Sequence, residues 1–543
     1  MFKITCKGSR ISLLLCTCLF LFSLVGCGST VTPPPDAGKD KASMQPRKGG
    51  TITVGVDIEP DSLDVHKSYL SYYQTSLIGA SLVYLDLQTK EVKPSLAESY
   101  TTSADGKTWT FKLRSGVKFH DGTPLTATLY KETFERIQAP ETASTLSGDF
   151  TSIQSITAPD DKTLIFQLRE PNAQFLANLS HPSFGQPLLM SAIQKFGKDY
   201  GRNPVGVGPW KFESWKTGDS ITLMRNEEYQ WANSMSENQG PARPEKVGFK
   251  FIADRQTMMA ALDSGSIDIA VGLTPNDVRK YKNNNKFVII ESLSNGPTFL
   301  EMNLTNEILQ DIHIRKALNM AINKEAIIES VLQGEGVNTY GPLSPNSFGY
   351  DPSVEQYGYK YNLEEAKKLL EESGWKENAQ GFREKNGKIL SLQLVSRQTY
   401  AIENQLIQSM LKEIGVDVKI QVVEQAALLD MAVKGSFDLL LLSYLANDPN
   451  TLSGFLHSNQ IGGSNFSRVR DKELDSLLDK GGKELNRAER QKIYAEVQKL
   501  VIEQAYWIPL YTANEFFVVN NRVHGVKLQP MIGFDFQDSW VNE

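Results

Sequence analysis

Beyond residue 27 the chain has no cysteine. Its four are Cys6, Cys16, Cys18 and Cys27, and the remaining 516 residues hold none. That excludes a disulfide scaffold, a Cys-ligated zinc and a cysteine nucleophile from the body of the protein. A large thiol-free body suits an oxidising exterior, where a stray thiol is a liability. Histidine is nearly as sparse: His66, His120, His181, His313, His457 and His524 are scattered, with no i,i+4 pair. The patterns H-E-x-x-H, G-x-S-x-G and C-x-x-C are missing. Gly481-Gly482-Lys483 runs into Glu484, so it is no P-loop. Val205-Gly-Val-Gly-Pro-Trp210 puts Pro209 where a phosphate loop needs a free N–H, and reads as a turn entering a strand. Acidic pairs such as Glu371-Glu372 fall on helix surfaces. Nothing in this inventory positions a nucleophile, a base, a metal or a cofactor, and the expectation is that the chain is not an enzyme.

There is also no excess of positive charge. The formal net charge is −6, whereas a nucleic-acid binder normally carries a basic face. With 40% hydrophobic and 22% charged residues the composition is that of a globular protein. At 543 residues it exceeds what one core can hold, so two or three lobes are expected.

One apolar run stands out, at the N-terminus. Lys3, Lys7 and Arg10 precede a stretch from Ile11 to Val25 broken only by Ser12, Thr17 and Ser23. About 15 residues at ~1.5 Å each fall short of a ~30 Å bilayer core. The run ends in Leu24-Val25-Gly26-Cys27, which resembles a lipobox. Residues 1–26 are read as a signal peptide, with Cys27 carrying the lipid after cleavage. Residues 27–48 are rich in Pro, Ser, Thr and charge, and read as a flexible tether. The expected place is the outer face of the cell membrane.

The body starts with a predicted strand, Thr51–Val56. A hairpin is expected around the turn Ser103–Lys107, and a second from Ile153–Thr157 and Thr163–Leu168. Predicted strands follow at 247–252, 267–271, 391–396, 416–422 and 437–443. Predicted helices lie at 255–264, 363–373, 401–413 and 487–504, and Pro509–Asn520 returns as strand. Such alternation predicts an α/β fold on a mostly parallel sheet.

Several blocks then carry a resemblance. They are Leu96–Tyr100 running through Gly106-Lys-Thr-Trp-Thr-Phe to Gly116-Val-Lys-Phe-His-Asp-Gly-Thr-Pro124, and Pro204–Trp210 followed by Arg225-Asn-Glu-Glu-Tyr229. Further on come Ile314-Arg-Lys-Ala-Leu-Asn-Met-Ala-Ile-Asn323, Phe437-Asp-Leu-Leu-Leu with Asn447-Asp-Pro449, and Trp507-Ile-Pro-Leu-Tyr511. In this order, across roughly residues 50–540, they resemble the peptide/nickel family of extracytoplasmic solute-binding proteins. The resemblance implies a two-lobed periplasmic-binding-protein fold with an extra domain. Domain I would comprise 49–72, 205–295 and 510–543, domain II 73–204 and domain III 296–509, with a hinge near Gly296 and Leu510. It also implies a monomer that delivers its solute to the permease and ATPase subunits of an ABC importer.

Peptide binders of this family hold the ligand amine with an aspartate four residues before the proline of the domain III loop. Here that position is Leu445, which leaves Asp448 and Asn447 as the nearest substitutes. Tyr444 falls where the family often has a Trp over the ligand. The nickel-chelate branch uses a domain II arginine, matched here by His181, and an aromatic matched by Tyr72. Tyr73, beside it, and Arg397, at the end of the strand 391–396, complete the candidate set. Each has a plainer reading: half-buried core aromatics, a helix cap at Asp448, a solvated arginine. The ligand is expected to be a short peptide, with a metal chelate or another small solute as alternatives.

Overall fold

A computed structural model describes residues 45–543 apart from 69, 70, 87, 88, 447, 530–532 and 543. The apolar leader, Cys27 and most of the tether lie outside the described residues. Among the described residues no helix is long and apolar enough to cross a membrane.

Local chemistry accounts for many element boundaries. The Asp254 carboxylate accepts the Thr257 N–H at 2.8 Å and starts the helix Arg255–Asp263, which stops before Gly265 at φ +75°. Asn362 caps Leu363–Glu372, whose first turn carries Glu364 and Glu365 toward the positive end of the helix dipole. The strand Thr108–Leu113 buries Trp109, Phe111 and Leu113 and turns the intervening residues outward, the period of two that a one-sided sheet requires. It pairs antiparallel with Ala97–Thr102 across the expected turn. Ile153–Asp160 and Thr163–Leu168 complete a four-stranded sheet, the first of them reaching three residues beyond the expected Thr157.

Twelve strands form the main sheet. Its path runs 417–422, 391–396, 439–443, 298–302, 507–520, 269–270, 51–56, 246–251, 220–225, 210–216, and the strands Phe287–Leu293 and Gly336–Asn338 also pair with 507–520. The mostly parallel expectation is corrected here. Parallel pairing is confined to Thr51–Val56 with its two neighbours and to Ser391–Ser396 with its two. The remaining ladders of this sheet are antiparallel. Only the parallel groups arise from helical crossovers such as Ala401–Glu413, because a parallel neighbour needs a long return connection.

The strand Trp507–Asn520 organises the whole. Its first half pairs with Thr298–Met302, and its second half pairs with Phe287–Leu293 and Ile269–Ala270. Buried apolar side chains gather separately around it. Ile52, Val54, Trp210, Val247, Phe249 and Phe517 pack at one end. Leu300, Leu318, Leu370, Leu394, Ile407 and Leu441 pack at the other. Trp109, Phe111, Phe134, Phe166 and Phe175 fill a third body against the four-stranded sheet.

Candidate functional site

Two chain segments join the ends of the main sheet: residues 294–297 and the middle of the strand Trp507–Asn520. Gly296 lies so close to the loop 443–446 that a Cβ there would sit 1.4 Å from the Tyr444 carbonyl oxygen. Glycine is required by this approach, not by its φ. The loop is held beside the link by the ladder from Thr298 and Ser443 inward. Leu445 is thereby turned outward and stays 50% exposed.

Leu445 borders a cavity of about 540 Å³ together with Asn295, Tyr73, Gln74, Asp57 and Glu515. Glu515 is the one exposed residue of the strand Trp507–Asn520, follows the half-buried Ala513 and Asn514, and faces Ser292 across the ladder. The cavity walls surround its carboxyl although solvent reaches it, and this burial raises its pKa above the usual range while the Ser294 hydroxyl opposes the rise. Tyr73 is half-buried, with its ring 5.7 Å from that of Phe534. Burial, with Glu515 and Asp57 nearby, pushes its hydroxyl up to about 12. Gln74 is 2% exposed, and its Oε1 has no hydrogen-bond partner.

A second cavity, about 610 Å³, adjoins at Asn295. Its walls come from 85–109 and 173–177 on one side and from 346–348 and 446–490 on the other. Lys90, Arg487 and Arg490 mix there with Glu91, Asp448 and Glu484, so neither sign of charge prevails.

The candidate residues divide on this map. Tyr73 lines the first cavity and Asp448 the second. The side chain of Tyr72 and the whole of Asn447 lie outside the described residues. Asp448 does not present a free carboxylate: Arg490 holds it from both nitrogens, at 2.7 and 2.6 Å, and the Asn450 N–H donates to it at 2.9 Å. Asp448, the nearest substitute for the amine-holding position in the sequence reading, thus already has charged and backbone partners. Tyr444 packs as an aromatic, the plainer of its two readings from sequence. It sits against Phe299, Phe455 and Trp507, and its hydroxyl donates to the Pro342 carbonyl. His181 is 5% exposed, with its ring 4.3 Å from Phe184. Burial lowers its pKa to about 4, so it is neutral and enclosed rather than a cationic anion clamp. Arg397 is half-buried over the Tyr400 ring at 5.4 Å, its Nε without a hydrogen-bond partner, and lines neither cavity.

Asp57, Gln74 and Glu515 were missed from sequence. Glu515 had a signal: Asn514-Glu515 interrupts an apolar strand sequence. Among the described residues no group of acids and histidines is placed to hold a metal ion.

A cleft between sheet halves joined by two segments, with its polar groups turned inward, defines a two-lobed solute-binding protein. The profile of bacterial extracellular solute-binding proteins, family 5 (middle region), matches residues 91–465, and the chain belongs to that family. The oligopeptide-binding protein AppA of Bacillus subtilis is 28% identical over 540 residues, covering 96% of each chain. Its structure in complex with a nonapeptide superposes with a TM-score of 0.74 at 26% identity, covering 92% of this chain and all of the other. Heme-binding protein A of Haemophilus influenzae is 29% identical over 478 residues, 84% of this chain and 85% of its own.

Proposed function

We propose that this chain is the extracytoplasmic solute-binding subunit of an ABC importer and that its solute is a short peptide. The observation that carries this reading is the pair of adjoining cavities between the lobes, each within the roughly 300–1,000 Å³ of small-ligand sites. The nonapeptide in the B. subtilis relative supports the ligand class. An anionic metal chelate suits the first cavity poorly, since its described lining offers carboxylates and no cation. In this reading the lobes are formed by the three domains that the family resemblance implies, with the hinge near Gly296 and in the strand Trp507–Asn520. A ligand that touches both lobes favours the closed arrangement through its differential affinity. The protein returns its ligand unchanged and hands it to the permease and ATPase subunits. It works as a monomer, held to the membrane by lipid on Cys27.

Native mass spectrometry of the purified protein tests the ligand class, with a co-purifying peptide as the expected result. Solution scattering tests the mechanism, with the radius of gyration expected to shrink when that peptide is returned to stripped protein. A bound peptide that leaves the scattering curve unchanged would overturn lobe closure.

A further inference from the structure

The sequence resemblance puts the family's amine-holding position at Leu445, whose side chain accepts no hydrogen bond, and Asp448 is occupied by Arg490. A free peptide still brings an ammonium group into the cleft, with three N–H donors that need acceptors. The lining of the cavity beside Leu445 is acceptor-rich and of one sign. Asp57 and Glu515 are its charged groups, and among the described residues lining it there is no lysine, arginine or histidine. No ion pair engages either acid among the described residues.

Gln74 is an independent observation. Its side chain is all but buried, it lines the same cavity, and its Oε1 lacks a partner. A buried amide oxygen left unsatisfied is costly, and although Gln74 Oε1 is shielded from solvent here, a donor that reaches it as the side chain turns toward the adjoining cavity removes that cost. The negative field of the acids is felt within the cavity, where both raise the pKa of the Tyr73 hydroxyl. Leu445 and Ile58, half exposed, border the same space and offer apolar contact to the rest of the ligand.

We propose that this cavity receives the protonated amine of the ligand, with Glu515 as its charge partner and Gln74 Oε1 as a further acceptor. The inference rests on the peptide reading above. It relocates the amine site from the domain III loop to the strand that crosses between the lobes. It also makes a free cationic amine, with no anionic group beside it, the preferred chemistry at this end of the cleft.

The test uses a random-sequence synthetic peptide library offered in two forms, with free and with N-acetylated amino termini. Mass spectrometry reads what the stripped, full-length protein retains. Wild type is expected to retain free-amine peptides at least about tenfold over acetylated ones, the lower end for a hydrogen bond to a charged group. Glu515→Gln, at an open position and of the same shape, should bring the two forms to near parity with an unchanged circular dichroism spectrum. Asp57→Asn, on the surface, should narrow the preference by a smaller factor. Full amine preference in Glu515→Gln, or equal retention of both forms by wild type, overturns the inference and leaves the peptide reading standing. Retention of neither form overturns the peptide reading, and this inference with it.

Discussion

Arg490 grips Asp448 as a fork, and both side chains are almost fully enclosed, 5% and 6% exposed. Arg490 also donates its Nε to the Gly481 carbonyl at 2.9 Å, which fixes the plane of the guanidinium. Removing the carboxylate leaves a buried cation unpaired. Asp448→Ala should therefore lower unfolding stability by roughly 3–5 kcal/mol, by urea titration, in the same measure with and without ligand. A variant of undiminished stability but lost affinity would make Asp448 a ligand contact after all.

Glu301 lies in the strand Thr298–Met302 with no solvent exposure. The Ser467 hydroxyl donates to one carboxyl oxygen at 2.8 Å, and the other has no partner. Burial pushes its pKa up to about 8 from an ordinary 4.5. Between those values the folded chain holds a proton that the unfolded chain releases, so stability falls as pH rises through this window. From about pH 5.5 to about pH 8 the contribution amounts to a loss of roughly 3 kcal/mol. Glu301→Gln should remove that part of the pH slope and be the more stable form at about pH 8, as read by urea titration at both pH values.

Arg487 ties the lobes together on the side of the second cavity. Its Nη1 donates to the Lys90 carbonyl at 2.5 Å, and its guanidinium lies 4.0 Å from the Phe348 ring centre. Nearby, Asn450 donates to Gln174 at 2.9 Å, and the Ala173 N–H to the Gly482 carbonyl at 2.8 Å. Arg487→Ala weakens this contact only where the lobes meet. The ligand-free variant should show a larger radius of gyration than ligand-free wild type, while saturating ligand restores the wild-type value.

Cys27 is the proposed point of lipid attachment. Cys27→Ser should abolish lipidation, and the chain should appear unprocessed or in the soluble fraction of host cells. Fractionation with immunoblotting and intact-mass measurement reads both outcomes. Undiminished membrane recovery of a chain cut before residue 27 would contradict the anchor.

The elements that sequence reasoning located were those with local causes. Thr51–Val56 and the hairpin around Ser103–Lys107 follow from alternating burial and turn residues within a few positions of each other. The mixed direction of the main sheet had no such signal, because the long strand pairs Asn514 with Leu293 and Tyr511 with Thr298, more than two hundred residues away. The same distance effect governs the site. Asp448 could be found from its loop, but Arg490, which neutralises it, lies on the last long helix. Tyr444 could be found as an aromatic beside a proline loop, but not its packing on Trp507. Gln74 carries no motif, since an unpartnered oxygen exists only once its surroundings have folded.

The strand Trp507–Asn520 has a thermal consequence. Proteins with several cores commonly melt in stages, each body losing structure at its own temperature. Here one strand belongs to the hydrogen-bonded ladders of both halves. Neither half can shed its ladder without stripping partners from a strand the other still needs. Heat absorption on warming should accordingly collect into one calorimetric peak for both ends of the main sheet. A ligand docked at the middle of that strand should shift the peak as a whole, because it stabilises what both ends share.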